Sequence, residues 1–193
     1  MFSSQNNDVI LSLYRDKRTV FRLSDVAMLT GDTDRISLSK KLNYYVRTGK
    51  LNNPRKGIYT KPDYSARELA CRLYTPSYIS LETVLASEGV IFQYDSSITI
   101  VSYLSRTLEI NEQTLRYRKI KNACLLNTRG IIRQTEGINI ATPERALLDM
   151  LYLNPGYYFD NINAVDKEKT LSLVEIYDSK TLQTTIHNLF SYG

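Results

Sequence analysis

The segment ISLSKKLNYYVRTGKLNNPRKGIYT, residues 36–60, carries the strongest structural signal in this chain. Its first half has apolar residues at the spacing of an amphipathic helix, which predicts that one face packs inward. These inward residues are Leu38, Leu42, Tyr45 and Val46. Gly49 is predicted to end the helix, because glycine adopts the left-handed C-terminal conformation without a side-chain clash. Residues 51–60 then predict a tight hairpin with Arg55 and Lys56 at its tip.

The opposite face of the predicted helix is polar and basic. It carries Lys40, Asn43 and Arg47, and Lys50 follows just after the helix. A carboxamide can pair with the edge of adenine, and lysine or arginine can donate to guanine or to phosphates. A basic helix followed by a basic hairpin therefore favours contact with a DNA major groove and the phosphates beside it. On these residues alone, a solvated helix next to an ordinary loop is the alternative interpretation.

The residues before this segment predict the rest of a winged helix-turn-helix. Residues 8–15 have the spacing of a first amphipathic helix, and a brief extended pair follows. Ser24 is a suitable N-cap for a second helix at residues 25–29, because its hydroxyl can satisfy a free backbone N–H. Residues 30–32 predict the turn before the basic helix. Helix, short helix, turn, helix and hairpin is the order of a winged helix.

The charge of the chain is divided unevenly along its 193 residues, a length that accommodates two modest domains. Residues 1–75 contain 14 Lys or Arg against 7 Asp or Glu, whereas residues 76–193 contain 11 against 13. Solubility explains the sign of the net charge of +5 but not this segregation. We therefore predict a basic DNA-binding domain at 1–75 and a second domain at 76–193.

The second half of the chain predicts an α+β domain, a small mixed sheet with surrounding helices. The bond between Thr75 and the following proline separates it from a helix at 65–74, since a residue before proline disfavours helical geometry. The clearest helix signal is TPERALLDMLYL, residues 142–153, with Thr142 as its cap and Pro143 at its first position. The other predicted segments are a helix from Ser77 to Gly89, strands at 98–103, 107–110, 115–120, 125–134 and 137–140, and helices at 167–177 and 179–190.

Several kinds of protein are disfavoured by what the sequence lacks. No apolar run approaches the roughly 20 residues that span a bilayer, so no membrane partner is expected. The N-terminus has no basic segment before an apolar one, which is typical of a protein that stays in the cytoplasm. Cys71 and Cys124 lie far apart without metal-site spacing, so we expect two inert thiols, no metal and no cofactor.

Three phrases taken together resemble the AbiEi-type antitoxins. They are KLNYYVRTGKL (41–51) followed by KGIYT (56–60), then PSYISLETVLASEGVI (76–91), then IATPERALLDMLYL (140–153). The resemblance spans about residues 20–165 and rests on the order of the phrases rather than on one strong signature. Some members of the family are considerably longer, which puts parts of their C-terminal function in doubt here.

This resemblance implies an N-terminal winged helix that represses the promoter of a two-gene toxin–antitoxin system by binding inverted repeats in double-stranded DNA. It also implies a C-terminal domain that contributes to neutralising a nucleotidyltransferase-like toxin. The family is usually classed as type IV, in which antitoxin and toxin need not form a stable complex. The chain is then expected to act in abortive infection as a binding protein and not as an enzyme.

The predicted DNA contacts lie on the helix at 36–49 and on the hairpin. Lys40 and Arg47 are expected on guanine or phosphate, and Asn43 on adenine. Two serines at the helix start are expected on phosphate or base edges, aided by free backbone N–H groups. Tyr44 lies between the two faces, so core packing and a phosphate contact are both open for it. The full predicted set is Ser37, Ser39, Lys40, Asn43, Tyr44, Arg47, Lys50, Arg55 and Lys56, with Arg35 and Lys41 as weaker candidates.

Two other functions stay open on the sequence. A DNA-directed nuclease or nucleotidyltransferase needs clustered carboxylates for metal ions, and the nearest approach to a cluster is Asp160, Asp166 and Glu168. A transcriptional regulator that senses a small molecule through the second domain is the other possibility. Arg145 and Asp149 have i,i+4 spacing, which indicates either a site that contacts toxin or ligand, or an ion pair that holds the helix. We predict no catalytic residue.

Overall fold

The computed structural model describes residues 8–93 and 95–191, and it divides the chain into two compact units. Unit 1 is Met1–Leu69 and unit 2 is Ala70–Gly193. The sequence predicted the division at 75/76, whereas the structure places it inside the helix that follows the hairpin. Helices and two sheets are both present, so the predicted α+β class is confirmed.

In the described part of unit 1, helices pack against a three-stranded antiparallel sheet of order β1-β3-β2. The elements are α1 (Val9–Arg15), β1 (Val20–Arg22), α2 (Leu23–Thr30), α3 (Arg35–Arg47), β2 (Asn52–Arg55) and β3 (Ile58–Thr60). The next helix, α4 (Ala66–Leu73), contains the division between the units. One core cluster links helices and sheet through Val9, Leu13, Phe21, Val26, Leu38, Leu42, Leu51 and Tyr59.

The start of α2 differs from the sequence prediction. The helix begins at Leu23, so Ser24 lies inside its first turn and is not the N-cap. The Asp25 carboxylate reaches back instead and accepts from the backbone N–H of Arg22, with 2.8 Å between Oδ2 and N. An acidic residue at this position can satisfy the backbone N–H before the helix, so the helix starts earlier than the serine indicated.

A buried carboxylate that no sequence pattern indicated holds the beginning of β1 in place. Glu68 is fully buried, and its Oε2 accepts from the backbone N and the Oγ1 of Thr19 at 2.8 and 2.7 Å. Its Oε1 accepts from the backbone N of Val20 at 3.2 Å. Because a buried carboxylate is costly without such donors, these bonds determine where the first strand of the sheet lies.

Unit 2 is built on a six-stranded mixed sheet of order β6-β7-β5-β4-β9-β8. Its strands are β4 (Ser77–Ile79), β5 (Ile98–Ser102), β6 (Arg106–Ile110), β7 (Gln113–Lys119), β8 (Ile131–Arg133) and β9 (Asn139–Ala141). Its helices are α5 (Glu82–Ser87), α6 (Asn122–Leu126), α7 (Pro143–Leu153), α8 (Lys167–Leu173) and α9 (Lys180–Leu189). Short 3-10 segments occur at Thr135–Gly137, Ile162–Ala164 and Val174–Tyr177. Within the described residues, no helix has both the length and the apolar character needed to cross a membrane.

Two predictions for unit 2 were wrong. The helix expected from Ser77 begins only at Glu82, because residues 77–79 form β4, which pairs with β5 on one side and β9 on the other. All three β4 residues are buried, and an apolar segment buried on both faces lacks the alternation that distinguishes a strand from a buried helix. The strand expected at 125–134 is limited to β8, because Leu125 belongs to α6.

Helix α7 forms as the sequence predicted. It starts at Pro143, and the Oγ1 of Thr142 accepts from the backbone N of Arg145 at 3.3 Å. Residues 144–151 are all buried, so this is the central helix of the unit 2 core. Three of these buried residues, Glu144, Arg145 and Asp149, are charged, and the last two form an ion pair.

The predicted Arg145–Asp149 pair forms, and both side chains are fully buried at the centre of a hydrogen-bond network. Arg145 Nε lies 3.3 Å from Asp149 Oδ1, and the guanidinium also donates to the backbone carbonyls of Cys124, Asn127 and Arg129 at 2.7, 3.2 and 2.9 Å. Asp149 accepts from further hydroxyls, which belong to Tyr78 at 3.1 Å, Ser80 at 2.8 Å and Tyr177 at 2.6 Å. Since the partners are all internal to unit 2, the pair has the geometry of a structural support.

The two tyrosines of this network act as fixed hydrogen-bond donors. Burial raises the pKa of Tyr78 and of Tyr177, and the nearby Asp149 carboxylate raises both further. Their hydroxyls therefore stay protonated at neutral pH and donate to Asp149. Both rings also lie under the guanidinium of Arg145, whose Cζ is 5.3 and 5.4 Å from the two ring centroids.

We predict that Asp149→Ala strongly destabilises the protein, because it leaves the Arg145 guanidinium buried without its counter-ion. Removing one partner of a buried pair costs about 3–5 kcal/mol in the free energy of unfolding. Chemical denaturation of the variant measures this loss. Glu168→Ala removes an exposed carboxylate from α8 and is the matched control. A loss for Asp149→Ala no larger than the control's would contradict a supporting role for the network.

Candidate nucleic-acid interface

Helix α3 presents a continuous outward stripe. Leu38 and Leu42 are fully buried in the core of unit 1, which turns the opposite side of the helix to solvent. The side chains on that side are spaced at three and four residues and are all exposed. They are Ile36, Lys40, Asn43, Tyr44 and Arg47. The structure therefore brings four predicted contact residues, Lys40, Asn43, Tyr44 and Arg47, onto one surface.

The two cations of the stripe are available to a ligand. Within the part of the chain that the structure describes, neither Lys40 nor Arg47 has a hydrogen-bond or ion-pair partner. Lys41, a weaker candidate, lies on another side of α3, and its Nζ pairs with Asp32 Oδ2 at 3.4 Å. Lys41 is therefore not part of the stripe, because its side chain points to another side of α3 and its charge is paired with Asp32.

The C-terminus of α3 is closed by a glycine, as the sequence predicted. Gly49 has a φ of +71°, and its backbone N donates to the carbonyl of Val46 at 3.1 Å. The backbone N of Lys50 donates to the carbonyl of Tyr45 at 2.9 Å, which completes a Schellman motif. The carbonyl of Lys50 accepts from the hydroxyl of Tyr14 on α1 at 2.8 Å. Lys50 is thus exposed at a fixed point just after the stripe.

The N-terminus of α3 differs from the prediction. The Asp34 carboxylate caps it, and its Oδ1 accepts from the backbone N of Ile36 at 3.0 Å and of Ser37 at 3.1 Å. These N–H groups, which were expected to be free, are therefore occupied. Ser37 and Ser39 are only half-exposed, and two carboxylates, those of Asp32 and Asp34, lie at this end. A phosphate is consequently less favourable here than the sequence indicated. An aspartate directly before the helix was the signal for this cap.

Two tyrosines show how the middle of the stripe is held. Tyr44 is 53% exposed, so it is not a core residue, and its ring packs edge-on against Tyr45 with 5.7 Å between centroids. Tyr59 of β3 is buried, and its hydroxyl lies 3.5 Å from Asn43 Oδ1. This long contact orients the carboxamide of Asn43 and leaves its side chain exposed. No local pattern predicts this contact, since Asn43 and Tyr59 meet only through the tertiary packing.

The β2–β3 hairpin carries the remaining predicted residues. Its turn is Lys56-Gly57, and Lys56 is exposed there, while Arg55 at the end of β2 is half-buried. Asn53 Nδ2 donates to the carbonyls of Arg55 at 3.0 Å and Ile58 at 2.7 Å, which braces the hairpin from inside. β2 is an edge strand of its sheet, a position that tolerates the proline it contains.

The acidic residues and cysteines of unit 2 were the candidates for metal or thiol chemistry. Among the described residues, no group of three His, Cys, Asp or Glu side chains is placed to hold a metal ion. The acidic residues considered from the sequence have local roles. Asp160 Oδ2 accepts from the backbone N of Phe92 at 2.7 Å, and Asp166 caps α8. Burial raises the pKa of the Cys124 thiol, which makes its thiolate scarce at neutral pH.

The comparisons with known proteins bear on the fold. No protein-family model matches this chain, and no curated protein matches it. The chain is similar to the crystal structure of the RV2827C protein from Mycobacterium tuberculosis, with a TM-score of 0.54. The match covers 95% of this chain and 75% of that chain at 15% sequence identity. At this identity the similarity shows a common architecture and carries no information about function.

Proposed function

We propose that unit 1 binds double-stranded DNA, with the stripe of α3 in the major groove and the β2–β3 turn on neighbouring phosphates. The observation that carries this proposal is the exposed row of Lys40, Asn43 and Arg47, whose cations are unpaired among the described residues. The order of helices and hairpin in unit 1 is compatible with a winged helix. Asn43 supplies a base-reading carboxamide, and the cations supply electrostatic attraction.

The aspartate cap at the N-terminus of α3 affects which part of the helix would contact phosphates. Negative charge from Asp32 and Asp34 lies at its N-terminus, whereas the cations follow from the middle of the helix onward. Phosphates would therefore be contacted by Arg47 and Lys50, together with Lys56 from the hairpin. The base-reading part of the surface would be centred on Asn43.

We further propose that the chain is an antitoxin that acts in the cytoplasm, represses its own promoter and counteracts a nucleotidyltransferase-like toxin. Support comes from the three phrases that resemble AbiEi-type antitoxins, at 41–60, 76–91 and 140–153. The concentration of basic residues in the first 75 positions also supports DNA binding by the first unit rather than the second.

DNA affinity should fall steeply with salt. With phosphate contacts from Arg47, Lys50 and Lys56, the logarithm of the binding constant should fall against the logarithm of salt concentration with a slope near −3, at roughly 0.9 per contact. Titrating a duplex from upstream of the gene at several salt concentrations measures the slope. A flat response would remove the proposal of DNA binding.

A substitution on the helix should alter sequence preference, whereas one on the hairpin should alter overall DNA affinity. Asn43→Ala removes a base contact, so it should relax sequence preference at one base pair and cost roughly 1–3 kcal/mol there. Lys56→Ala removes a phosphate contact, so it should weaken binding to all sequences alike and reduce the salt slope by about 1. Competition assays with single-base-pair variants of the duplex measure both effects. Identical profiles for the two variants would contradict the assigned geometry.

Antitoxin activity should survive the loss of DNA binding. The full chain carrying Lys40→Ala and Arg47→Ala should still restore growth when it is co-expressed with the toxin candidate encoded by the neighbouring gene. Expression from an independent promoter removes any effect of repression. If the wild-type chain fails to restore growth, the antitoxin proposal is wrong, even where DNA binding stands.

A further inference from the structure

A cavity in unit 2 carries an uncompensated charge. Its volume is about 530 Å³, and its lining is Glu82, Ile91, Gln93, Asp95, Ser96 and Arg116 with Tyr157. The guanidinium of Arg116 is ion-paired with Asp95. Asp95 also accepts from the backbone N of Ser97 at 2.8 Å, so this pair is satisfied internally. The remaining formal charge of the lining is the carboxylate of Glu82.

Glu82 is half-buried and has no hydrogen-bond or ion-pair partner among the described residues, so its carboxylate can pair with an incoming cation. Its Oε2 is shielded from solvent. A shielded carboxylate oxygen without a donor is costly, and such atoms in a folded protein require an explanation. The ring of Tyr157 lines the same cavity, and its pKa is raised by burial and by the charges of Glu82 and Asp160. The cavity is therefore suited to a positively charged nitrogen rather than to an anion.

Two aromatic side chains stand out of the surface beside this cavity. Phe92 is 71% exposed and Tyr158 is 79% exposed, and each is the chain neighbour of a residue that lines the cavity. Their loops are tied together, because the backbone N of Asp160 donates to the carbonyl of Val90 at 3.1 Å and its Oδ2 accepts from Phe92 N at 2.7 Å. A fixed pair of loops thus holds both aromatics at the surface.

We propose that this surface binds a polypeptide partner through a lysine or arginine side chain that enters the cavity and pairs with Glu82. The charge of the cavity selects a cationic side chain. The exposed aromatics select a polypeptide over a small free cation, since a small cation in the cavity would leave Phe92 and Tyr158 uncovered. Buried aromatic contacts around a charged anchor are typical of the energetically dominant part of protein interfaces.

The test uses the isotope-labelled full chain and two small probes. N-acetyl-argininamide should cause saturable chemical-shift changes confined to the residues around the cavity, whereas the neutral citrulline analogue should cause none. Glu82→Gln should weaken binding about tenfold, since it removes one charge-assisted contact. Glu88→Gln removes an exposed carboxylate next to the same helix and should change the affinity by less than about twofold. Absence of saturable shifts, equal shifts with citrulline, or equal loss in both variants would overturn the proposal.

A third probe separates a polypeptide partner from a free cation. The tripeptide acetyl-Leu-Arg-Leu-amide should bind more tightly than N-acetyl-argininamide, and Phe92→Ala or Tyr158→Ala should abolish that gain. Both positions are exposed, so these variants keep the proposal testable even if Glu82→Gln disturbs folding. If the tripeptide binds no more tightly than the single residue, the site accepts a small cation and the polypeptide proposal is wrong.

Discussion

The burial of Leu38 and Leu42 is the constraint on which the candidate DNA surface depends. Both side chains are at 0% exposure, and they anchor α3 in the core cluster of unit 1. Because side chains on a helix are fixed at about 100° per residue, this anchoring determines that Lys40, Asn43 and Arg47 point outward. Rotation of α3 would require the leucines to leave the core, at a cost of about 1.5–3 kcal/mol each.

In unit 2 a buried charge pair, Arg145 and Asp149, has the anchoring role that the buried leucines have in unit 1. The guanidinium of Arg145 donates to the carbonyls of Cys124, Asn127 and Arg129. Asp149 accepts from the hydroxyls of Tyr78 and Tyr177, which lie in other parts of the unit. One helix thereby holds segments that are distant in sequence. The approach is close enough that a Cβ on Gly130 would lie 2.9 Å from the Cβ of Arg145, so the loop there requires glycine.

Local signals in the sequence were sufficient for some elements and not for others. The amphipathic period of α3, the glycine at position 49 and the Thr-Pro start of α7 each act within a few residues, and all three were predicted correctly. Residues 77–79 were assigned wrongly because all three are buried, and they form a strand only through pairing with β5 and β9, which lie farther along the chain. The hydrogen bonds of Glu68 and those from Arg145 to backbone carbonyls join residues far apart in the chain, so no local sequence pattern predicted them.

Lys40 and Lys41 allow the sharpest test of the α3 surface, because they are neighbours in sequence and lie on different sides of the helix. We predict that Lys40→Ala weakens binding to the upstream duplex at least about fivefold, as expected for a lost groove or phosphate contact. Lys41→Ala removes the same charge from the side of α3 that pairs with Asp32, and it should change affinity by less than about twofold. Equal losses from the two variants, at the same salt concentration, would show that DNA responds to net charge and not to the stripe.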